Sequence, residues 1–91
     1  QVHADVLFLG TSGVRGDGSV MDTTTVEVPV KRTMLRSADR AVLVADGSKF
    51  PGSGLARVCG PESLHVLITD DDADAGTLDV FRQAGTEVVL A

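Results

Sequence analysis

Residues 41–50 read Ala41-Val42-Leu43-Val44-Ala45-Asp46-Gly47-Ser48-Lys49-Phe50, an unbroken apolar run that ends in an acid, with a lysine three residues further on. Consecutive apolar residues rich in β-branched valine predict a strand buried on both faces, the kind found in parallel sheets covered by helices. Ligands of open α/β sheets bind beyond the carboxyl ends of such strands, which is where Asp46 and Lys49 fall. Their opposite charges suit a polar, anionic small molecule. Asp-Gly-Ser is also ordinary turn chemistry, so the same residues serve equally well as a capped turn and a solvated lysine.

Toward the N-terminus, Val6-Leu7-Phe8-Leu9 is bounded by Asp5 and Gly10 and predicts a second buried strand. A glycine-rich loop follows, Gly10-Thr11-Ser12-Gly13 and then Gly16-Asp17-Gly18-Ser19. From about Val26 to Ser37 the pattern turns helical, with Val30, Met34 and Ala38 at i, i+4 and i+8 and with Lys31, Arg32 and Arg36 on the other face. Pro29 belongs in the first turn of that helix, whereas Thr24-x-x-Glu27 resembles a capping box that would start it earlier.

Toward the C-terminus, Pro51-Gly52-Ser53-Gly54 is a loop, and residues 55–59 are expected to form one helical turn that Gly60-Pro61 stops. His65-Val66-Leu67-Ile68-Thr69 predicts a third strand. The turn Asp70-Asp71-Asp72-Ala73-Asp74 is rich in helix-capping residues. Ala75, Leu78, Phe81 and Ala84 then recur at helical spacing, and Gly85 is placed to end the helix in the left-handed conformation. Glu87-Val88-Val89-Leu90 is a final strand. This order predicts an α/β fold, a mainly parallel sheet of about four strands with flanking helices and right-handed crossovers.

Ninety-one residues allow one small domain. Hydrophobic content of 43% with 23% charged residues is globular rather than disordered. A net charge of −5 excludes nucleic-acid docking by these residues, which needs a basic footprint, and three Phe without Trp or Tyr remove the stacking platforms of single-strand binders. The single cysteine, Cys59, excludes an internal disulfide and a cysteine-based zinc motif, and it fits a reducing cytoplasm. No apolar run approaches the roughly 20 residues of a membrane span, and no membrane partner is expected. The chain begins without Met and enters a strand pattern almost at once, so it reads as a piece of something longer.

Several constellations carry less. Asp70, Asp72 and Asp74 alternate like the start of a calcium loop, but the sixth and twelfth positions are Ala75 and Phe81, so no metal is expected. Asp70 lies closest to a strand end and joins the candidate site. Gly10-x-x-Gly13-x-x-Gly16 follows a strand and suits an anion-binding nest or, equally, a plain flexible loop, and its spacing is not the dinucleotide fingerprint. The 51–54 loop lacks the Gly-Lys-Ser/Thr ending of a P-loop, so the sequence implies no nucleotide and no other cofactor. His3 and His65 lack a nucleophile partner and read as structural, and Cys59 reads as a small hydrophobe. Lys31, Arg32, Arg36 and Arg40 complement the helix dipole, with a subunit contact as the functional alternative.

Taken together, DVLFLGTSG over 5–13, Glu27-x-x-Val30-Lys31-Arg32-x-Met34-x-x-x-Ala38, VLVADGSKF over 42–50 and Ile68-Thr69-Asp70 resemble the C-terminal effector domain of DeoR-family bacterial transcriptional regulators. The order and spacing match from about residue 5 to the end. The resemblance implies a sensor domain similar in fold to ribose-5-phosphate isomerase, with residues 1–91 as the C-terminal portion of the effector-binding domain. It implies binding of a phosphorylated sugar and allosteric control of operator DNA through an N-terminal winged helix-turn-helix that these residues do not include. It further implies a regulator, typically a repressor, in carbohydrate metabolism; a cytoplasmic homo-oligomer is expected from the lone cysteine and from the apolar sheet edge that the missing earlier strands would leave unpaired. Lys49 is then expected to pair with phosphate or hydroxyl and Asp46 with sugar hydroxyls, while Gly10, Thr11, Ser12 and Gly13 supply backbone and hydroxyl hydrogen bonds and Asp70 flanks them.

The isomerase's Asp-x-x-Lys is kept as Asp46 and Lys49, but its acidic loop is replaced by Thr11-Ser12-Gly13. Counting back from Asp46 without gaps, its catalytic glutamate falls on Lys31, and a protonated lysine cannot abstract a carbon-bound proton as a carboxylate does. A non-enzymatic sensor without catalytic residues is expected. The alternative is a fragment of a sugar-phosphate isomerase or deaminase.

Overall fold

A computed structural model describes residues 4–22, 27–52, 54 and 56–91. The strands are β1 (Ala4–Leu9), β2 (Gly13–Val14), β3 (Val20–Asp22), β4 (Ala38–Val44), β5 (Ala56–Cys59), β6 (Val66–Thr69) and β7 (Glu87–Leu90). Helix α1 spans Glu27–Ser37 and helix α2 spans Ala75–Gln83. Short 3-10 turns form at Gly47–Lys49 and Pro61–Ser63.

The four apolar runs form one all-parallel sheet in the order β1-β4-β6-β7. Register pairs Leu9 with Leu43, Val44 with Ile68, and Ile68 with Val89, so the carboxyl ends of neighbouring strands lie level. Parallel strands need crossovers, and two of them carry α1 and α2. A second, antiparallel sheet, β2-β3-β5, grows out of the segments read above as loops. Residues 56–59 are therefore a strand rather than a helical turn. As a strand, with Val58 and Cys59 buried and Arg57 exposed, they gain ladder hydrogen bonds from β3 that an isolated turn ahead of Gly60-Pro61 would lack.

The core lies on one side of the parallel sheet. Leu7, Leu9, Ala41, Leu43 and Leu67 meet Val28 of α1, Leu78 and Phe81 of α2, and Val14, Val20 and Val58 of the second sheet. Phe81 and Leu43 are fully inaccessible. Both-sided burial is met only at the centre of the sheet, where Val42 and Val66 are buried on the face opposite the core. Val6, Phe8, Val44 and Val89 point to that same face, where Phe8 is 66% and Val44 47% exposed. The apolar runs have the composition of doubly covered strands, but these residues supply only one covering layer.

The helices follow local rules with one correction. Asp74 caps α2 by accepting from the Thr77 N–H at 3.0 Å, and Gly85, at φ +95°, ends it while Thr86 N–H returns to the Phe81 carbonyl. Pro29 sits in the first turn of α1, as expected. Part of the Thr24-x-x-Glu27 motif lies outside the described residues. Val30 and Met34, expected to be the buried stripe, are 57% and 43% exposed, and Ala38 already belongs to β4. Val28 and Leu35 face the core instead, because α1 packs against β1, β4 and β5 along that line.

Candidate functional site

Because β1, β4 and β6 are adjacent and parallel, the loops that follow them emerge at the same end of the sheet. Gly10, Thr11, Ser12 and Gly13 follow β1, Asp46 and Lys49 follow β4, and Asp70 follows β6. All seven expected residues are thus brought to one edge, the position at which α/β sheets take ligands.

Two close contacts lock the three loops together. Asp70 Oδ1 accepts from the Gly47 N–H and the Asp72 N–H, both at 3.0 Å, joining the β4 loop to the β6 loop. A Cβ at Gly47 would lie 2.5 Å from Asp70 Oδ1 and 2.7 Å from the Asp72 carbonyl carbon, so this approach requires glycine. On the other side, the Gly52 N–H donates to the Val14 carbonyl at 2.9 Å, and a side chain at Gly52 would strike Gly13 Cα and the Lys49 carbonyl oxygen. Sequence reading missed both glycines as site-builders. Gly47 carried a signal, since it directly follows the acid at a strand end.

Asp46 is exposed and caps the 3-10 turn. Its Oδ1 accepts from the Ser48 N–H at 3.0 Å and from the Ser48 hydroxyl, and these bonds, the hydroxyl's first, hold its carboxyl below the usual aspartate range. It is therefore a carboxylate at neutral pH, with spare acceptor capacity for hydroxyl groups. Lys49 is half-buried in the same turn, and no ion pair or side-chain hydrogen bond engages its ammonium among the described residues. Residues 44–46, 68–70 and Ala91 line an open depression of about 200 Å³ with Asp46 and Asp70 at its polar end. Lys49 does not line it. The depression is mainly apolar, with the two carboxylates at one side of it, and the lysine, suited to an anion, stands apart.

The loop after β1 is more self-contained than its composition suggests. Thr11 Oγ1 lies 2.7 Å from the Met21 carbonyl oxygen and 2.9 Å from that of Gly13, and it accepts from the Gly13 N–H at 3.1 Å. Ser12 Oγ donates to the Met21 carbonyl at 3.1 Å. These hydroxyls stitch β1 to the β2–β3 hairpin. The Gly10 carbonyl accepts from Lys31 Nζ at 3.2 Å, and the same ammonium lies 2.6 Å from the buried Asp22 carboxylate. Asp22 and Lys31 therefore flank the site, although the sequence reading assigned neither of them to it.

Several other titratable residues take structural places, while His3 lies outside the described residues. His65 Nδ1 accepts from the Ala41 N–H at 2.9 Å, extending the β4–β6 ladder. Burial pushes the Cys59 thiol up to about 11, so it is neutral and unreactive at physiological pH. Arg32 donates to the Arg57 and Val58 carbonyls, capping the open edge of β5. Asp70, Asp71 and Asp72 bring carboxylate oxygens within 4.8 Å of one another in a turn where Asp71 and Asp72 are exposed, and Asp70 Oδ1 already satisfies two backbone N–H groups there. No helix among the described residues is long and apolar enough to cross a membrane.

Comparison with known proteins identifies the family. The family model of the DeoR C terminal sensor domain matches residues 1–71. The glycerol-3-phosphate regulon repressor of Haemophilus influenzae is 33% identical over 90 residues, covering 99% of this chain and 35% of its own length. The HTH-type transcriptional regulator GlpR of Haloferax volcanii is 32% identical over 98% of the chain and 35% of its own length. The HTH-type transcriptional repressor CsqR of Escherichia coli K12 is 26% identical over 97% of the chain and 34% of its own length. The chain thus spans about a third of the length of the curated relatives it matches. Since the family model matches more than three quarters of its residues, this chain belongs to the DeoR C terminal sensor domain family.

Proposed function

We propose that this chain is the effector-sensing part of a DeoR-type transcriptional repressor that binds a phosphorylated sugar or polyol at the carboxyl ends of β1, β4 and β6. The observation that carries the reading is Lys49, a half-buried cation with no ion pair or hydrogen bond to its ammonium among the described residues, near enough to Asp46 to help keep that carboxylate ionised. Lys49 pairs with the phosphate, Asp46 and Asp70 accept from ligand hydroxyls, and the Gly10–Gly13 turn supplies backbone groups. Relatives named for the glycerol-3-phosphate regulon support a phosphorylated effector. Residues 1–91 form the C-terminal portion of the effector-binding domain, and operator DNA is contacted by a winged helix-turn-helix elsewhere in the full-length protein, which works in the cytoplasm as a homo-oligomer. Ligand favours one arrangement of the regulator over another and so shifts the DNA-competent population.

The reading is not enzymatic. Where a carboxylate base would stand, Lys31 is held in an ion pair with Asp22. Calorimetry of the full-length protein against phosphorylated sugars, glycerol 3-phosphate and their unphosphorylated parents tests the proposal. Lys49→Ala is expected to weaken binding of the phosphorylated ligand by about 1.5–3 kcal/mol, the scale of a charge-assisted hydrogen bond, without lowering the ligand-free melting temperature. Unchanged affinity, or equal binding of phosphorylated and parent sugars, refutes the assignment of Lys49.

A further inference from the structure

We propose that Lys31 is a second phosphate-recognising cation of this site, held at its wall by the buried carboxylate of Asp22. The proposal rests on the effector-site reading above and extends it to a residue on α1. The Lys31 ammonium lies 2.6 Å from Asp22 Oδ2 and 3.2 Å from the Gly10 carbonyl oxygen. Its side chain is 22% exposed and that of Asp22 only 6%, so the pair is one-sided, with the acid inside and the ammonium at the surface of the β1 loop.

Donor counting gives the ammonium spare capacity. A lysine has three N–H donors; among the described residues one is given to the Gly10 carbonyl, and Asp22 holds the ammonium as an ion pair. Asp22 and Gly10 fix where the spare capacity is displayed. Gly10 begins the turn that Gly13 ends, and Gly52 packs against both Gly13 Cα and the Lys49 carbonyl. The turn is therefore bracketed by Lys31 at its first residue and by the Lys49 loop at its last. A phosphate monoester carries close to two negative charges at neutral pH and offers three acceptor oxygens, which one lysine point charge does not saturate. Two cations on either side of a glycine-containing turn match that ligand.

The buried acid also explains how a partly buried lysine is tolerated in the empty site, since an unpaired ammonium there would be costly. It sets a competition as well. Phosphate binding draws the ammonium toward the ligand and away from Asp22, so the acid lowers phosphate affinity while it positions the lysine.

The test is calorimetric titration of inorganic phosphate into the full-length protein and its variants, with ligand-free melting temperatures recorded alongside. Lys31→Met is expected to weaken phosphate binding about tenfold or more, and Lys31→Arg, which keeps the charge, to stay within about threefold of wild type. Asp22→Asn is expected to tighten phosphate binding. If Lys31→Met folds but binds phosphate as wild type does, while Lys49→Ala loses it, the Lys31 proposal is overturned and the site reading survives. If neither lysine matters, both fall. Should Lys31→Met not fold, Asp22→Asn decides, because a purely structural ion pair would lower its melting temperature and leave phosphate affinity unchanged or weaker. Wild-type protein that ignores millimolar phosphate also overturns the two-cation site.

Discussion

Replacing Gly47 by alanine is expected to loosen the site and the fold together, whereas the same change at Gly10 should do neither. A methyl group at Gly47 would stand 2.5 Å from both Asp70 Oδ1 and Asp72 Cβ and 2.7 Å from the Asp72 carbonyl carbon. Two of these neighbours belong to the backbone or its first side-chain carbon, so the β6 loop must move as a unit. Overpacking of this kind costs about 1–3 kcal/mol. The movement also stretches the Gly47 N–H to Asp70 bond, whose acceptor is charged and which is worth about 1.5–3 kcal/mol. Relaxation relieves part of the clash at the expense of the bond, so the two terms do not add fully, and a net loss of about 2–3 kcal/mol is expected. At Gly10 an added Cβ meets nothing within 4 Å and the backbone is not left-handed, so alanine should be neutral or stabilising by about 0.4–1 kcal/mol. Thermal melting of the two variants measures the contrast, at about 2–8 °C per kcal/mol depending on the size of the cooperative unit. A Gly47→Ala variant that melts with Gly10→Ala and binds effector as wild type does would refute the claim that these two loops are locked through this contact.

Other consequences are equally direct. The Cys59 thiol, pushed up to about 11 by burial, forms thiolate only well above physiological pH, so at pH 8 a thiol reagent should label the folded protein far more slowly than the unfolded one; equal rates would contradict its burial. Thr69 Oγ1 is buried without a hydrogen-bond partner among the described residues, so Thr69→Val, of the same shape, is expected to raise stability by about 1 kcal/mol in chemical denaturation, and a loss would show that the hydroxyl is used. The uncovered face should make the 91-residue chain self-associate when produced alone, and Phe8→Glu combined with Val44→Lys should reduce that association. Sedimentation showing a monomer for the unsubstituted chain would contradict it.

Much of this architecture is written locally. The four apolar runs pair as parallel strands because each is short, rich in Val, Leu and Ile and bounded by polar residues or glycine, signals that need no distant partner. Asp74 and Gly85 fix the ends of α2 in the same way. Placement of the site at the carboxyl ends follows from parallel pairing alone, which is why the positions of Asp46, Lys49 and Asp70 were legible. What a residue touches across the sheet was not. β2 is two residues long and has no periodicity to detect, and β5 is a strand only because β3 lies beside it. The stripe of α1 that looked buried faces out, since the line of contact was set by the neighbours of the helix rather than by its own pattern. Gly47, Gly52, Asp22 and Lys31 acquire their roles from loops and strands remote in sequence. Local composition thus determined which segments become strands and helices and at which end of the sheet the expected site residues gather, while three-dimensional packing decided which apolar face is covered and which charges meet, because those depend on distances between segments that no local pattern encodes.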